Sequence, residues 1–239
     1  MESRTSRASL VIGTISHQPG QIDAIIEKLA TLIRSYKTER IIRIAVDGVD
    51  GVGKTIFADK LGSAIAGMGR PIIRSSVDGF HNPRELRYRR GKTSPEGFYL
   101  DSYDYAALRT HLLDPLAPEG SGRYRSAVYD HVTDSPLRAQ EHIAPAGSVL
   151  ILDGLFLHRQ ELHDHWDLSI FLEAPFEVTI ARVAAREPGW ESTDPDAPSN
   201  RRYVEGQRIY LRENQPQNRA NVVIDYSDLT APLVVAWRI

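Results

Sequence analysis

Residues 48–55 read Gly48-Val-Asp-Gly51-Val-Gly53-Lys54-Thr55, a complete G-x-x-x-x-G-K-[ST] pattern, and no other stretch constrains the fold as tightly. The pattern works only where a strand runs into a turn that opens a helix. Its glycines let the backbone curl so that successive N–H groups face inward, and the helix N-terminus adds its positive dipole at the same point. Such a cradle holds a chain of phosphates. Gly48, Asp50, Gly51, Val52, Gly53, Lys54 and Thr55 are therefore candidate nucleotide contacts. Lys54 is placed to reach the β- and γ-phosphates, and Thr55 to offer a hydroxyl to Mg²⁺.

The flanking sequence supplies the required context. Ile41 to Val46 is short, apolar and β-branched, as expected of a strand buried on both faces. Lys54 to about Ala66 reads as a helix burying Phe57, Leu61 and Ile65, and Gln21 to Lys37 as a helix with Ile22, Ile25, Ile26, Leu29 and Ile33 on one face. Pro71 to Val77, Val149 to Leu152 and Leu168 to Leu172 read as further strands, and Pro175 opens a helix running through Arg186. Val222 to Asp225 and Leu233 to Trp237 complete the strands. Strands alternating with helices predict an α/β fold: a doubly wound, mostly parallel sheet of P-loop NTPase type.

No linker interrupts residues 1–239, which read as a single domain after a loose lead-in of about 19 residues. Residues 79–145 are polar and rich in Arg, Tyr, Pro and Gly, so they read as an inserted lobe that shapes an acceptor site. About 182–205 reads as a lid, within which Glu187 to Asn200 carries three prolines and several acids and is expected to be an exposed, mobile loop.

Composition removes several classes of function. There are no cysteines, which excludes disulfides and thiolate catalysis. The formal net charge of −2 lacks the footprint of a nucleic-acid binder, although Arg84, Arg87, Arg89, Arg90 and Lys92 form a local basic run. That run reads either as a patch for an anionic group or as a solvated surface segment. No apolar stretch approaches the roughly 18–20 residues of a membrane span, and the N-terminus lacks a secretory apolar core. The expectation is a soluble, cytoplasmic protein, with homo-oligomerisation left open.

Two acids stand where strands should deliver them. Asp78 follows Val77 and Asp153 follows Leu152, and ligands of open α/β sheets bind beyond the carboxyl ends of the strands. Asp153 reads as the acid that holds Mg²⁺ with Thr55; Asp78 reads as the base that takes a proton from an attacking hydroxyl. Both also suit turn or cap aspartates. Asp47, just before the loop, reads as a brace. His81 reads equally as an acceptor contact or a turn cap. His158, His163 and His165 fit no zinc spacing and read as a surface loop; Tyr203, Tyr210 and Trp190 read as packing residues.

Four stretches together resemble the uridine kinase and phosphoribulokinase branch of P-loop kinases, over roughly residues 41–226. They are the glycine loop, Ser75-Ser-Val-Asp-Gly-Phe-His81, Val128-Tyr-Asp-His-Val-Thr-Asp134 and Val149-Leu-Ile-Leu-Asp-Gly154. The resemblance implies an ATP- and Mg²⁺-dependent kinase with a small-molecule hydroxyl acceptor. It implies Asp78 as base, Asp153 at the metal, Asp101 on sugar hydroxyls and Tyr129 against the acceptor's base. It also implies Arg182 and Arg186, in and after the lid helix, as catalytic phosphate contacts. Asp134 stands in the acceptor site where pyrimidine nucleoside kinases have a histidine. Arg186-Glu-Pro-Gly lacks the usual basic, glycine-ended lid pattern, leaving Arg201, Arg202 and Gln207 to supply contacts. A nucleoside acceptor leads; pantothenate, a sugar or another small alcohol are alternatives, as is a P-loop ATPase or switch that phosphorylates nothing.

Overall fold

A computed structural model describes residues 20–36 and 39–239; the lead-in before residue 20 lies outside them. In chain order the elements begin with α1 (Gln21–Ser35), β1 (Ile42–Gly48), α2 (Lys54–Gly67) and β2 (Ile72–Ser76). Within the 79–145 stretch come three short helices, α3 (Arg84–Arg87), α4 (Pro95–Asp101) and α5 (Tyr105–Leu108). Four two-residue strands follow them: β3 (Arg123–Tyr124), β4 (Tyr129–Asp130), β5 (Ser135–Pro136) and β6 (His142–Ile143). The chain then returns to the sheet with β7 (Val149–Gly154), β8 (Leu168–Glu173) and α6 (Phe176–Arg186). It closes with α7 (Arg201–Asn214), α8 (Pro216–Arg219), β9 (Val222–Asp225) and β10 (Leu233–Trp237).

The main sheet runs β10-β9-β8-β1-β7-β2. All its pairings are parallel except β9 with β10. Central β1 is buried at every position, the burial its unbroken apolar run demands when helices cover both faces. One core lies under α1 and α2, with Ile44, Val46, Phe57, Leu61 and Ile151 fully enclosed. The other lies on the opposite face and joins Ala45, Leu150 and Leu152 to Phe80, Phe98, Tyr103, Phe156 and Tyr210. The 79–145 stretch thus carries aromatic core residues as well as polar ones.

Local signals explain the stops and starts in that stretch. Ser94 accepts from Gly97 N–H at 3.0 Å with Pro95 in the first turn of α4, and Asp104 accepts from Ala107 N–H at 2.8 Å to open α5. Register brings the ends of β1, β7 and β2 level: Val46 pairs with Asp153, and Asp153 with Ser76. The glycine loop, Asp153 and the turn after Ser76 therefore meet at one edge of the sheet. No described helix is long and apolar enough to cross a membrane.

Candidate active site

The glycine loop leaves β1 and enters α2 with Gly51 at φ +74° and Gly53 at φ +106°, both in the left-handed region that side chains avoid. At Gly51 a Cβ would sit 2.3 Å from the Thr179 carbonyl oxygen of α6, so the loop can pass that helix only as glycine. Lys54 Nζ donates to Val49 O at 2.9 Å, folding the ammonium over the loop's own carbonyl. A cleft of ≈ 150 Å³ opens in front, lined by Asp50, Lys54, Thr55, Asp78, Asp153 and Arg186 among others.

Thr55 Oγ1 donates to Asp153 Oδ2 at 2.7 Å, and the other carboxylate oxygen accepts from Arg74 at 2.9 Å. Asp153 is 2% exposed. A hydroxyl and a carboxylate converging at the loop's end are hard oxygen donors of the kind Mg²⁺ takes, so the residues present fit that ion. Arg74 also bonds Asp59 and the Ile151 carbonyl, which fixes the Asp153 carboxylate from behind.

On the acceptor side, Asp78 is exposed at the start of a single 3₁₀ turn, Val77–Phe80, with Ser76 Oγ accepting from its N–H. Tyr103 donates its hydroxyl to Asp78 Oδ1 at 3.2 Å. Burial, and next the Asp78 charge, push the Tyr103 phenol well above its ordinary range, so it stays a donor. His81 Nδ1 lies 2.9 Å from Asp78 O, and its ring stacks on His131 and leans on Tyr103. Burial lowers the His81 pKa against the pull of Asp78.

The remaining expected site residues have partners of their own. Asp101 is clamped by Arg89 at 2.5 Å and Arg90 at 2.8 Å; burial would raise its carboxyl, but the two guanidiniums hold it below the usual range. Asp134, at φ +54°, accepts from Arg84 N–H at 2.8 Å, Arg87 at 3.1 Å and the Tyr129 hydroxyl at 3.1 Å. Arg202 donates to the carbonyls of Arg87, Gly91 and Ser94 and stacks on Tyr88. Arg182 donates to the carbonyls of Tyr226 and Ser227, away from the cleft lining, whereas Arg186 lines the cleft and bonds Glu187.

Sequence reasoning did not single out Arg74, Tyr103 or His131. A lone charge inside the Ile72–Ser76 strand is the readable signal for Arg74, and His131 lies within the 128–134 stretch. One expectation is corrected: His158 is not on a surface loop but is 4% exposed, with its Nδ1 2.7 Å from Asp47. The apolar residues around it, Phe156 and Leu157, carry it inward from β7. Among the described residues no cluster of His, Cys, Asp and Glu forms a metal-binding group of three or more.

The model of the Phosphoribulokinase / Uridine kinase family matches residues 43–188. No curated protein matches the chain. Among solved structures, a possible uridine kinase from Bacillus stearothermophilus superposes with a TM-score of 0.65 at 24% identity, over 83% of this chain and 96% of that one. A putative fructose transport system kinase from Silicibacter sp. TM1040 gives 0.63 at 22% identity, over 78% and 94%. Phosphoribulokinase from Rhodobacter spheroides gives 0.51 at 12% identity, over 78% and 70%. At these identities the structural likeness carries the fold: a mostly parallel sheet flanked by helices.

Proposed function

Because this chain belongs to the phosphoribulokinase/uridine kinase family of P-loop kinases, which act on small-molecule alcohols, we propose that it transfers the γ-phosphoryl group of ATP to a nucleoside hydroxyl. The observation that carries the reading is Asp78: an exposed carboxylate in the same cleft as Lys54, Thr55 and Asp153. Asp78 takes the proton of the acceptor hydroxyl as the new O–P bond forms. The bond between the γ-phosphorus and the bridging oxygen breaks, and ADP leaves. Lys54 moves from the Val49 carbonyl to the phosphates, where its charge offsets what develops on the leaving oxygen. Mg²⁺, when bound by Thr55 and Asp153, neutralises phosphate charge. Tyr103 holds the Asp78 carboxylate in one orientation, which is the positioning this chemistry depends on.

The acceptor is read as uncharged. Arg87, Arg89 and Arg90 are engaged with the lobe's own Asp134 and Asp101, so these three guanidiniums are already committed to internal carboxylates. Tyr129, buried beside that network, supports a flat base as part of the acceptor. A second reading, a free sugar or another small alcohol such as pantothenate, is favoured by Asp134, whose oxygen already takes donors from Arg84, Arg87 and Tyr129.

An ADP-release screen with Mg-ATP against nucleosides, sugars and pantothenate tests both readings. Turnover with a nucleoside supports the first, and turnover only with a sugar or other alcohol moves the acceptor. Steady ADP release with no acceptor present would replace both with an ATPase. Asp78→Asn should retain ATP binding and lose about 10²–10⁴-fold in turnover; wild-type turnover in that variant would remove Asp78 from the base role.

A further inference from the structure

The glycine loop is held from behind by a helix that also grips the acceptor lobe. Asp50 N–H donates to Gln207 Oε1 of α7 at 2.6 Å. Gln207 is 1% exposed, and its Nε2 donates to Tyr203 O at 3.1 Å, which fixes the amide so that its oxygen faces Asp50. One turn on, Tyr210 donates its hydroxyl to Asp47 at the end of β1. At the start of the same helix, Arg202 bonds three carbonyls of the 87–94 segment. Gly206 lies so close to α4 that a Cβ would come within 2.8 Å of Phe98 and of the Pro95 carbonyl.

The start of the loop is tied down at Gly48, whose N–H donates to Asp47 at 2.7 Å and which pairs with Leu172 of β8. Between Gly48 and Gly51 the other bonds are Val52 N–H to Val49 O at 3.3 Å and the Lys54 ammonium on that same carbonyl. The lysine must leave that carbonyl to reach a phosphate. The bond from Gln207 remains, and it fixes the residue immediately before the glycine that turns the chain.

We propose that α7 is a strut linking the acceptor lobe to the phosphate loop, and that Gln207 is its positioning residue. By holding Asp50, Gln207 keeps the loop in the curl that presents its N–H groups, so a nucleotide does not bear the cost of ordering it. Arg202 and Gln207 share one helix, so a displacement of the lobe reaches the loop directly. This rests on the loop being the nucleotide site, as proposed above.

The test is calorimetric titration of Mg-ADP into the protein as wild type, Gln207→Asn, Gln207→Leu and Asn221→Leu. Asparagine is one methylene too short to span to Asp50. Both Gln207 variants should bind about 10-fold more weakly, the loss of one buried hydrogen bond. Asn221 accepts from Ser169 N–H at 2.8 Å, off α7 and away from the loop; its variant should melt earlier yet bind Mg-ADP with wild-type affinity. Equal affinity in wild type and Gln207→Asn, or equal weakening in Asn221→Leu, overturns the strut. Absence of Mg-ADP binding by the wild type instead sinks the functional reading, and the strut with it. Should the Gln207 variants fail to fold, amide exchange in the nucleotide-free wild type decides. Slow exchange at Asp50 sustains the anchor, and exchange at the rate of an open loop overturns it.

Discussion

Asp47→Asn is the substitution whose cost can be worked most directly. The carboxylate is fully buried and accepts from four donors: Gly48 N–H at 2.7 Å, His158 N–H at 3.1 Å, His158 Nδ1 at 2.7 Å and the Tyr210 hydroxyl. Burial, and next the Asp47 charge, push the Tyr210 phenol well above its ordinary range, which keeps that hydroxyl a donor. Asparagine supplies one acceptor oxygen and an NH₂ group. Whichever way the amide turns, its NH₂ meets a donor: Gly48 N–H in one orientation, the His158 and Tyr210 group in the other. A lost bond to a charged acceptor costs about 1.5–3 kcal/mol, and a buried donor left unmatched about 1–3 kcal/mol. Together they span about 2.5–6 kcal/mol, and we take the roughly 3–5 kcal/mol within it that breaking a buried charge pair costs. At roughly 2–4 °C per kcal/mol for a chain of this size, Tm should fall by about 6–20 °C. Urea denaturation should show the midpoint falling at unchanged slope. Tyr210→Phe removes one donor and leaves the other three, so it should cost less. Asp47→Asn within about 1 kcal/mol of wild type, or Tyr210→Phe costing more, would refute this account of the network.

Two further outcomes follow from the same geometry. Gly51→Ala puts a methyl group 2.3 Å from the Thr179 carbonyl at a φ of +74°; it should cost at least about 2 kcal/mol in urea unfolding and weaken Mg-ADP binding in calorimetry. Arg89 and Arg90 depress the folded-state pKa of Asp101 below its unfolded value of about 3.9, so its stabilisation is present above that value and lost as pH falls through the folded one. The stability difference between wild type and Asp101→Asn, measured by urea unfolding, should therefore shrink from pH 6 towards pH 3.

What could be read from the sequence divides along a physical line. The glycine loop, its strand and its helix were legible because each is fixed by residues within about ten positions: β-branched apolar runs, glycines at left-handed φ, a helix opening at Lys54. Asp78 and Asp153 were legible as positions because strand ends put them at one edge of the sheet. Their partners were not, since Tyr103 and Arg74 reach them from 25 and 79 residues away. The basic run shows the same limit. Its composition left an anion patch and a solvated segment equally open, and neither reading named the acids of the lobe itself onto which Arg87, Arg89 and Arg90 close.

Helix α7 marks where pattern reading fails outright. Its buried face is Arg202, Val204, Gly206, Gln207, Tyr210 and Asn214, a stripe in which most side chains carry polar groups, so apolar spacing does not mark the residues that seat the helix. Those polar side chains are inward because each has a buried partner: backbone carbonyls for Arg202, a loop amide for Gln207, a carboxylate for Tyr210 and a phenol for Asn214. A polar residue is stable inside only when such a partner is supplied, and here the partners come from β1, the glycine loop and the acceptor lobe. A helix of that composition is stable in this position only with the parts it joins in place. That dependence hides it from a local reading and equips it to report the state of one part to the other.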